Sequence, residues 1–239
     1  QKALALNPKS IETLNNLASA LNETEQFDSA RRASDEALLL EPAFPQALIN
    51  KGNSLSGLEE TEEAILCYRE ALEMSPDNGE ALFNLGNAYV DVEDFEAAII
   101  VYGKAVELDP ENAEKQYNFG NALLQKGQYS ECLKPFEIAI ALNPGYVDAL
   151  CNYASALQAI GQTERAVKCL QEAISVDPQS PDLHWNLSLA AIQNGEMEKG
   201  WKEYEWRWEM PTFASFKRDF KEPQWNGESL EGRTICLLY

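Results

Sequence analysis

The sequence predicts an all-α fold: a right-handed superhelical solenoid of helix-turn-helix repeats, with a C-terminal capping helix and an irregular tail. Three observations predict it. Pro8, Pro42, Pro76, Pro110, Pro144 and Pro178 recur every 34 residues, each after a short polar or acidic step such as "LNP", "LEP" or "LDP". A fixed period of this length is the mark of stacked supersecondary units. Within each period, small residues recur at fixed places, and apolar residues such as Leu82, Leu85, Ala88 and Tyr89 recur at helical spacing.

Units that begin three residues after each proline start at Ile11, Pro45, Gly79, Ala113, Val147 and Pro181, giving six expected repeats at 11–44, 45–78, 79–112, 113–146, 147–180 and 181–210. The eighth position is small throughout: Ala18, Gly52, Gly86, Gly120, Ala154 and Ser188. The twentieth is Ala30, Ala64, Ala98, Cys132, Ala166 and Gly200, and the twenty-seventh is alanine until Arg207 breaks the series. The twenty-fourth is large, at Tyr68, Tyr102, Phe136, Leu170 and Tyr204, with Ser34 the exception. Small residues let paired helices approach closely and large ones fill the space that remains.

A first helix is expected over positions two to fourteen of each unit. A short turn follows, with Gly127, Gly161 and Gly195 marking it in the later units. The second helix runs to the step before the proline, which cannot continue a helix and biases its predecessor away from helical geometry. Residues 1–10 read as the end of a preceding second helix, with Ala3 at the usual small position. The array is therefore expected to begin upstream.

One polar position repeats without exception. Position six is Asn16, Asn50, Asn84, Asn118, Asn152 and Asn186, and position nine adds Asn53, Asn87 and Asn121 in the middle units. Asparagine is a poor helix former, so its recurrence inside a helix calls for a reason. The two positions are helical neighbours on one face. Stacked first helices line the concave side of a solenoid, so the amides should form a row in an extended groove. An amide offers both a donor and an acceptor, as does an extended peptide backbone. Helices about 8–10 Å apart would match about three extended residues at ~3.3 Å each. The same amides could instead bond between adjacent repeats and hold the superhelix. Position five varies, with Phe83 and Tyr117 as aromatic candidates for the groove, and position two is mostly acidic. Such a groove suits extended segments with basic or apolar side chains, unless the acids are only a solvated rim. Position five contains no lysine, which argues against a clamp for a C-terminal carboxylate.

The net charge of −20 disfavours non-specific nucleic-acid binding. No apolar run approaches the ~20 residues that span a bilayer. Five cysteines without a C-x-x-C pair, and one histidine, argue against structural zinc. The cysteines read as small buried residues in a reducing compartment, so a cytoplasmic location is expected. His184 reads as a packed residue. Phosphate-loop, metal and nucleophile-elbow motifs are missing, so no cofactor, metal or catalytic residue is assigned.

These repeats resemble the tetratricopeptide-repeat family. The third unit carries the resemblance best, with Leu82, Leu85, Gly86, Tyr89, Ala98, Tyr102 and Pro110 at the family's spacing. The resemblance implies a protein-interaction module. The groove-lining arrays of O-linked N-acetylglucosamine transferases carry a similar asparagine ladder, which favours the groove reading.

After Gly200 the pattern changes. Trp201, Trp206, Trp208 and Trp225 crowd the tail, and Trp201, Tyr204 and Trp208 share a helical face, as a capping helix requires. Residues 211–232, with Pro211, Pro223, Gly227 and Gly232, read as a linker, and 233–239 as a buried strand that begins a further α/β domain. The stretches 200–208 and 223–235 resemble bacterial proteins that fuse such repeats to a two-lobed glycosyltransferase-like domain. That resemblance implies a groove presenting acceptor proteins to a transferase; the alternative is a general assembly scaffold with no enzyme domain.

Overall fold

The computed structural model of the chain describes residues 10–214. The predicted end of an upstream helix at 1–10, apart from Ser10, lies outside these, as do the strand at 233–239 and most of the linker at 211–232. Among the described residues the fold is a succession of paired helices: α1 (Ile11–Glu23) with α2 (Phe27–Leu40), α3 (Pro45–Gly57) with α4 (Thr61–Met74), α5 (Gly79–Asp91) with α6 (Phe95–Leu108), α7 (Ala113–Gln125) with α8 (Leu133–Leu142), α9 (Val147–Ala159) with α10 (Thr163–Val176), and α11 (Pro181–Gln193) with α12 (Met197–Tyr204). Each helix packs on the next in sequence. Successive first helices also touch, whereas successive second helices do not. The first helices therefore lie on the shorter inner radius of a solenoid and the second helices on its outside.

The starts of the first helices are written locally. Ser10, Asn78, Asn112 and Ser180 accept a hydrogen bond from the backbone N–H three residues on, satisfying a donor the helix cannot use. Pro45 and Pro181 occupy the first helical turn, where a missing N–H costs nothing.

The pairing within a repeat depends on positions eight and twenty-four. A Cβ added to Gly52 would stand 2.5 Å from a ring carbon of Tyr68, one on Gly86 2.4 Å from Tyr102, and one on Gly120 2.9 Å from Phe136. Each ring lies flat in the space that a side chain would fill, and Tyr68, Tyr102 and Phe136 are fully buried there. Where position eight is alanine, the partner shrinks to Ser34 or Leu170. Ser34 is sealed, and its hydroxyl has no hydrogen-bond partner among the described residues.

Every turn inside a repeat closes the same way. The residue at position fifteen has a positive φ, and the next N–H bonds back to a carbonyl five residues earlier: Gln26 to Leu21, Glu60 to Leu55, Asp94 to Tyr89, Gln128 to Leu123, Gln162 to Leu157 and Glu196 to Ala191. This is the Schellman closure, which favours glycine because a Cβ is crowded in the left-handed region. Gly127, Gly161 and Gly195 fill the later turns at φ of 79°, 79° and 84°. In the first three repeats the same conformation falls to Glu25, Glu59 and Glu93 at 56°, 62° and 60°. The glycines are thus a relaxed version of a turn that all six repeats make.

Two elements depart from expectation. The second helix of the fourth repeat begins at Leu133, four residues later in the frame than its counterparts. Pro135 explains this, since its ring displaces the N–H that would bond to Glu131 and clashes with that carbonyl. The tail helix also ends early. After Tyr204 the chain tightens into a 3₁₀ turn, Glu205–Glu209, followed by the short α13 (Pro211–Ala214) rather than an immediate linker. The change of pitch puts Trp206 against the array. Its ring stacks on His184 at 3.9 Å and 4° between planes. Met197 and Trp201 on α12 stay half exposed, at 52% and 58%.

Replacing Glu93 by glycine should raise stability by about 1 kcal/mol, because the left-handed position no longer opposes a Cβ. Replacing Gly127 by alanine should lower it by a similar amount. Urea melts followed by circular dichroism check both, and equal midpoints for the wild type and Glu93→Gly would contradict the account.

Candidate functional site

On each first helix, positions two, six, nine and thirteen fall on one stripe, because steps of four, three and four residues return to the same side. The inner radius gathers these stripes onto the concave face. Here the asparagines have a definite geometry. Asn84 Nδ2 donates to Asn53 Oδ1 at 2.8 Å, Asn118 Nδ2 to Asn87 Oδ1 at 3.2 Å, and Asn152 Nδ2 to Asn121 Oδ1 at 3.3 Å. Position six of one repeat thus reaches back to position nine of the repeat before it. Asn152 also donates to the Tyr117 hydroxyl at 3.2 Å, and Asn50 donates to Asn15 Oδ1 at 2.8 Å, so position five of the preceding repeat takes part as well.

The ladder is tied to the core through tyrosines that read in the sequence only as fillers. The Tyr68 hydroxyl donates to Asn53 Oδ1 at 2.8 Å, and that of Tyr102 to Asn87 Oδ1 at 2.5 Å. Each oxygen therefore accepts two bonds, one from its own second helix and one from the next first helix. Burial pushes the phenol of Tyr102 above its ordinary range, and the charges of Asp91 and Glu114 push it further. Burial is also the largest cause for Tyr68, where Glu80 and Asp91 act in the same direction. The signal that could have revealed this is pairwise: tyrosine at position twenty-four goes with asparagine at position nine in two repeats. In the fourth, Phe136 has no hydroxyl to give Asn121.

Of the two roles the sequence left open for these amides, bonding between repeats describes their Nδ2 atoms. Their oxygens are free of it. Oδ1 of Asn50, Asn84, Asn118 and Asn152 takes no hydrogen bond from a described residue, and none is among the sealed unpaired atoms, which are Asn22 Oδ1 and Ser34 Oγ. Asn16 is exposed. Asn186 lies within hydrogen-bonding reach of the Cys151 thiol, whose pKa is pushed up to about 11, chiefly by burial and then by Asp148 and Asp182.

The aromatic candidates are only partly in the groove. Phe83 and Tyr117 are half-buried and lean on the position-twenty-four ring of their own repeat, at 5.9 Å from Tyr102 and 6.1 Å from Phe136. Tyr117 also meets Tyr146 at 4.8 Å. Trp185, the last member of the series, is absorbed by the cap against Tyr204 and Phe213. His184 is buried, with Nδ1 2.5 Å from Glu203 and Nε2 3.1 Å from the Pro178 carbonyl oxygen. It fastens the cap.

Acids occur on both sides of the array, whereas cations concentrate on the second helices. The first helices carry Glu12, Glu23, Glu80, Asp91, Glu114, Asp148 and Asp182, and only two lysines. Those two are engaged, Lys51 with Asp35 at 2.7 Å and Lys115 with Asp109 at 2.8 Å. Among the described residues, every arginine and remaining lysine of the α-helices lies on a second helix, interspersed with acids such as Asp35, Glu62, Glu70 and Glu107. Among the described residues, no group of three or more His, Cys, Asp or Glu is placed to hold a metal, and no helix is long and apolar enough to cross a membrane. Cys67, Cys132, Cys151 and Cys169 are free thiols, and Cys236 lies outside the described residues.

The bonding pattern orders two substitutions. Tyr102→Phe removes one of the two bonds to Asn87 and should cost about 1 kcal/mol, whereas Asn87→Ala strips both Tyr102 and Asn118 of their acceptor and should cost about 2 kcal/mol. Thermal and urea melts of the two variants test the order. Equal, negligible losses would show that the amides do not hold the repeats together.

The geometry agrees with known proteins. The profile described as "TPR repeat" matches residues 52–92, 86–127 and 155–195, and two described as "Tetratricopeptide repeat" match 136–168 and 10–40. No curated protein sequence matches the chain. Among solved structures, a crystal structure of MamA is 24% identical with a TM-score of 0.67, over 75% of this chain and 98% of that one. A MamA fragment from Desulfovibrio magneticus RS-1 is 22% identical with a TM-score of 0.64, over 67% and 91%. YrrB, described as a TPR protein with an unusual peptide-binding site, is 26% identical with a TM-score of 0.67, over 82% and 97%. The chain belongs to the tetratricopeptide-repeat family.

Proposed function

We propose that the concave face binds an extended peptide or protein segment, and that the chain acts by binding rather than by catalysis. The observation that supports this reading is the row of amide oxygens at Asn50, Asn84, Asn118 and Asn152, left without protein partners at one-repeat intervals. An extended segment in the polyproline II conformation, three residues per turn at about 3.1 Å each, brings one backbone N–H per turn past such a row. Asn16, Asn186, Asn53, Asn87, Asn121, Phe83 and Tyr117 complete the surface. The description of YrrB as peptide-binding points the same way.

The test must spare the amides, since they also join the repeats. Ser155 stands at position nine of the fifth repeat, is exposed, and bonds only its own helix through the Cys151 carbonyl. Ser155→Trp should therefore obstruct the groove without loosening it. On arrays of unstructured peptides, the full chain should bind a subset that Ser155→Trp loses, while Lys134→Trp on the outer face keeps it. Unchanged binding by Ser155→Trp, at an unchanged melting temperature, would sink the proposal.

A finer reading rests on the tail motifs alone. Residues 200–208 and 223–235 resemble those that join such repeats to a glycosyltransferase-like domain, and we propose that the groove delivers acceptor proteins to one. A protein carrying both parts should transfer sugar to protein acceptors, and Ser155→Trp should abolish that transfer while sparing hydrolysis of the donor. Equal transfer by both forms would favour the assembly-scaffold alternative.

A further inference from the structure

The concave face has a polarity that the proposed peptide site does not by itself require. Along α5, α7, α9 and α11, position two is Glu80, Glu114, Asp148 and Asp182, all exposed. None of them, nor Asp91 at position thirteen, is in an ion pair with a described residue. The two lysines of the inner helices are held by Asp35 and Asp109. These carboxylates lie beside the ladder, because positions two and thirteen are each one helical turn from positions six and nine on the same stripe. Partial desolvation of Asp91 raises its carboxyl above the usual range, the sign of a charge that its surroundings do not offset.

The amides reinforce this polarity. Asn50 is 3% exposed and its Nδ2 is spent on Asn15, so the atom it has left to offer is Oδ1. Asn152 likewise gives both N–H donors, to Tyr117 and Asn121, whereas Asn84 and Asn118 each give one to the preceding repeat and keep one. With both donors engaged, Asn50 and Asn152 present only an acceptor, and all four amides keep Oδ1 without a described partner. The inner face therefore offers acceptors and unpaired negative charge, repeated once per unit, to whatever lies along it.

Resting on the reading of this face as a peptide site, we infer that its ligand is a cationic extended segment with lysine or arginine at about every third residue. Ammonium and guanidinium groups are donors only and complement both the carboxylates and the amide oxygens. One carboxylate per repeat, at a helix spacing of about 8–10 Å, matches every third side chain of a segment in the polyproline II conformation, which has three residues per turn at about 3.1 Å each and keeps those side chains on one face. The cationic residues of the second helices leave the outer face without this one-signed pattern.

The probes are three labelled twelve-residue peptides on a glycine-serine background, with lysine, glutamine or glutamate at every third residue, titrated against the full chain by fluorescence anisotropy. The lysine peptide should bind best and weaken with added salt. Glu80→Lys/Glu114→Lys/Asp148→Lys should weaken it by about tenfold or more, through the reversal of three screened charge contacts. The variant Glu62→Lys/Glu70→Lys/Glu107→Lys, with the same change in net charge on exposed positions of second helices, should bind nearly as the wild type does. If the glutamine peptide binds as well as the lysine peptide and is lost only in Ser155→Trp, the peptide site stands and its cationic preference is overturned. If the two triple variants lose the lysine peptide equally, the attraction is a general effect of net charge and the inference is overturned. If no peptide responds to Ser155→Trp, the site itself fails, and the inference with it.

Discussion

A side-chain amide spanning two first helices is the interaction on which this molecule turns. Helix pairs of one repeat cannot bury their own apolar surface, so each needs its neighbour. The contact from position six to position nine fixes how that neighbour sits on the inner side. It joins inner helices while the outer helices remain apart, which is the condition for a curved array. Because the same bond is made by Nδ2, it leaves the oxygen of each amide without a described partner. One hydrogen bond, repeated, thus sets both the shape of the surface and its chemistry.

Most of the fold could be read from the sequence because a period of 34 residues repeats each weak signal six times. A single alanine says little, but alanine at position twenty-seven in five units marks a helix contact. Positions eight and twenty-four were legible for the same reason, and the structure gives their meaning as a ring lying on a glycine. What the sequence could not show is where a polar side chain spends its hydrogen bonds. Asn84 and Asn53 are 31 residues apart, and periodicity alone leaves the choice between neighbour and ligand open. The role of Tyr68 and Tyr102 was hidden because packing and hydrogen bonding ask for the same residue there. The late start of α8 follows from Pro135, a local exception that the averaging power of a repeat obscures. The tail was hardest, since it is unique and each of its residues must be judged alone.

The array is also graded along its length. The ladder is richest in the second and third repeats, where tyrosine and asparagine cooperate. It thins in the fourth, where Phe136 lacks the hydroxyl, and in the fifth Ser155 stands where the acceptor would be. At the end, His184, Trp185 and Trp206 replace inter-repeat amides with aromatic stacking and a carboxylate contact. The packing of each repeat is thus constant while the polar joint between repeats changes, so binding properties can vary along a backbone that does not.

The left-handed glutamates have a consequence of their own. Neighbouring units in a solenoid share their stability, so the whole behaves as a line of coupled spins rather than as one all-or-none body. Glu25, Glu59 and Glu93 place the conformational penalty in one half of that line, and Gly127, Gly161 and Gly195 relieve it in the other. The free-energy profile along the superhelix is therefore tilted, and thermal fraying has a preferred direction written into six corner residues.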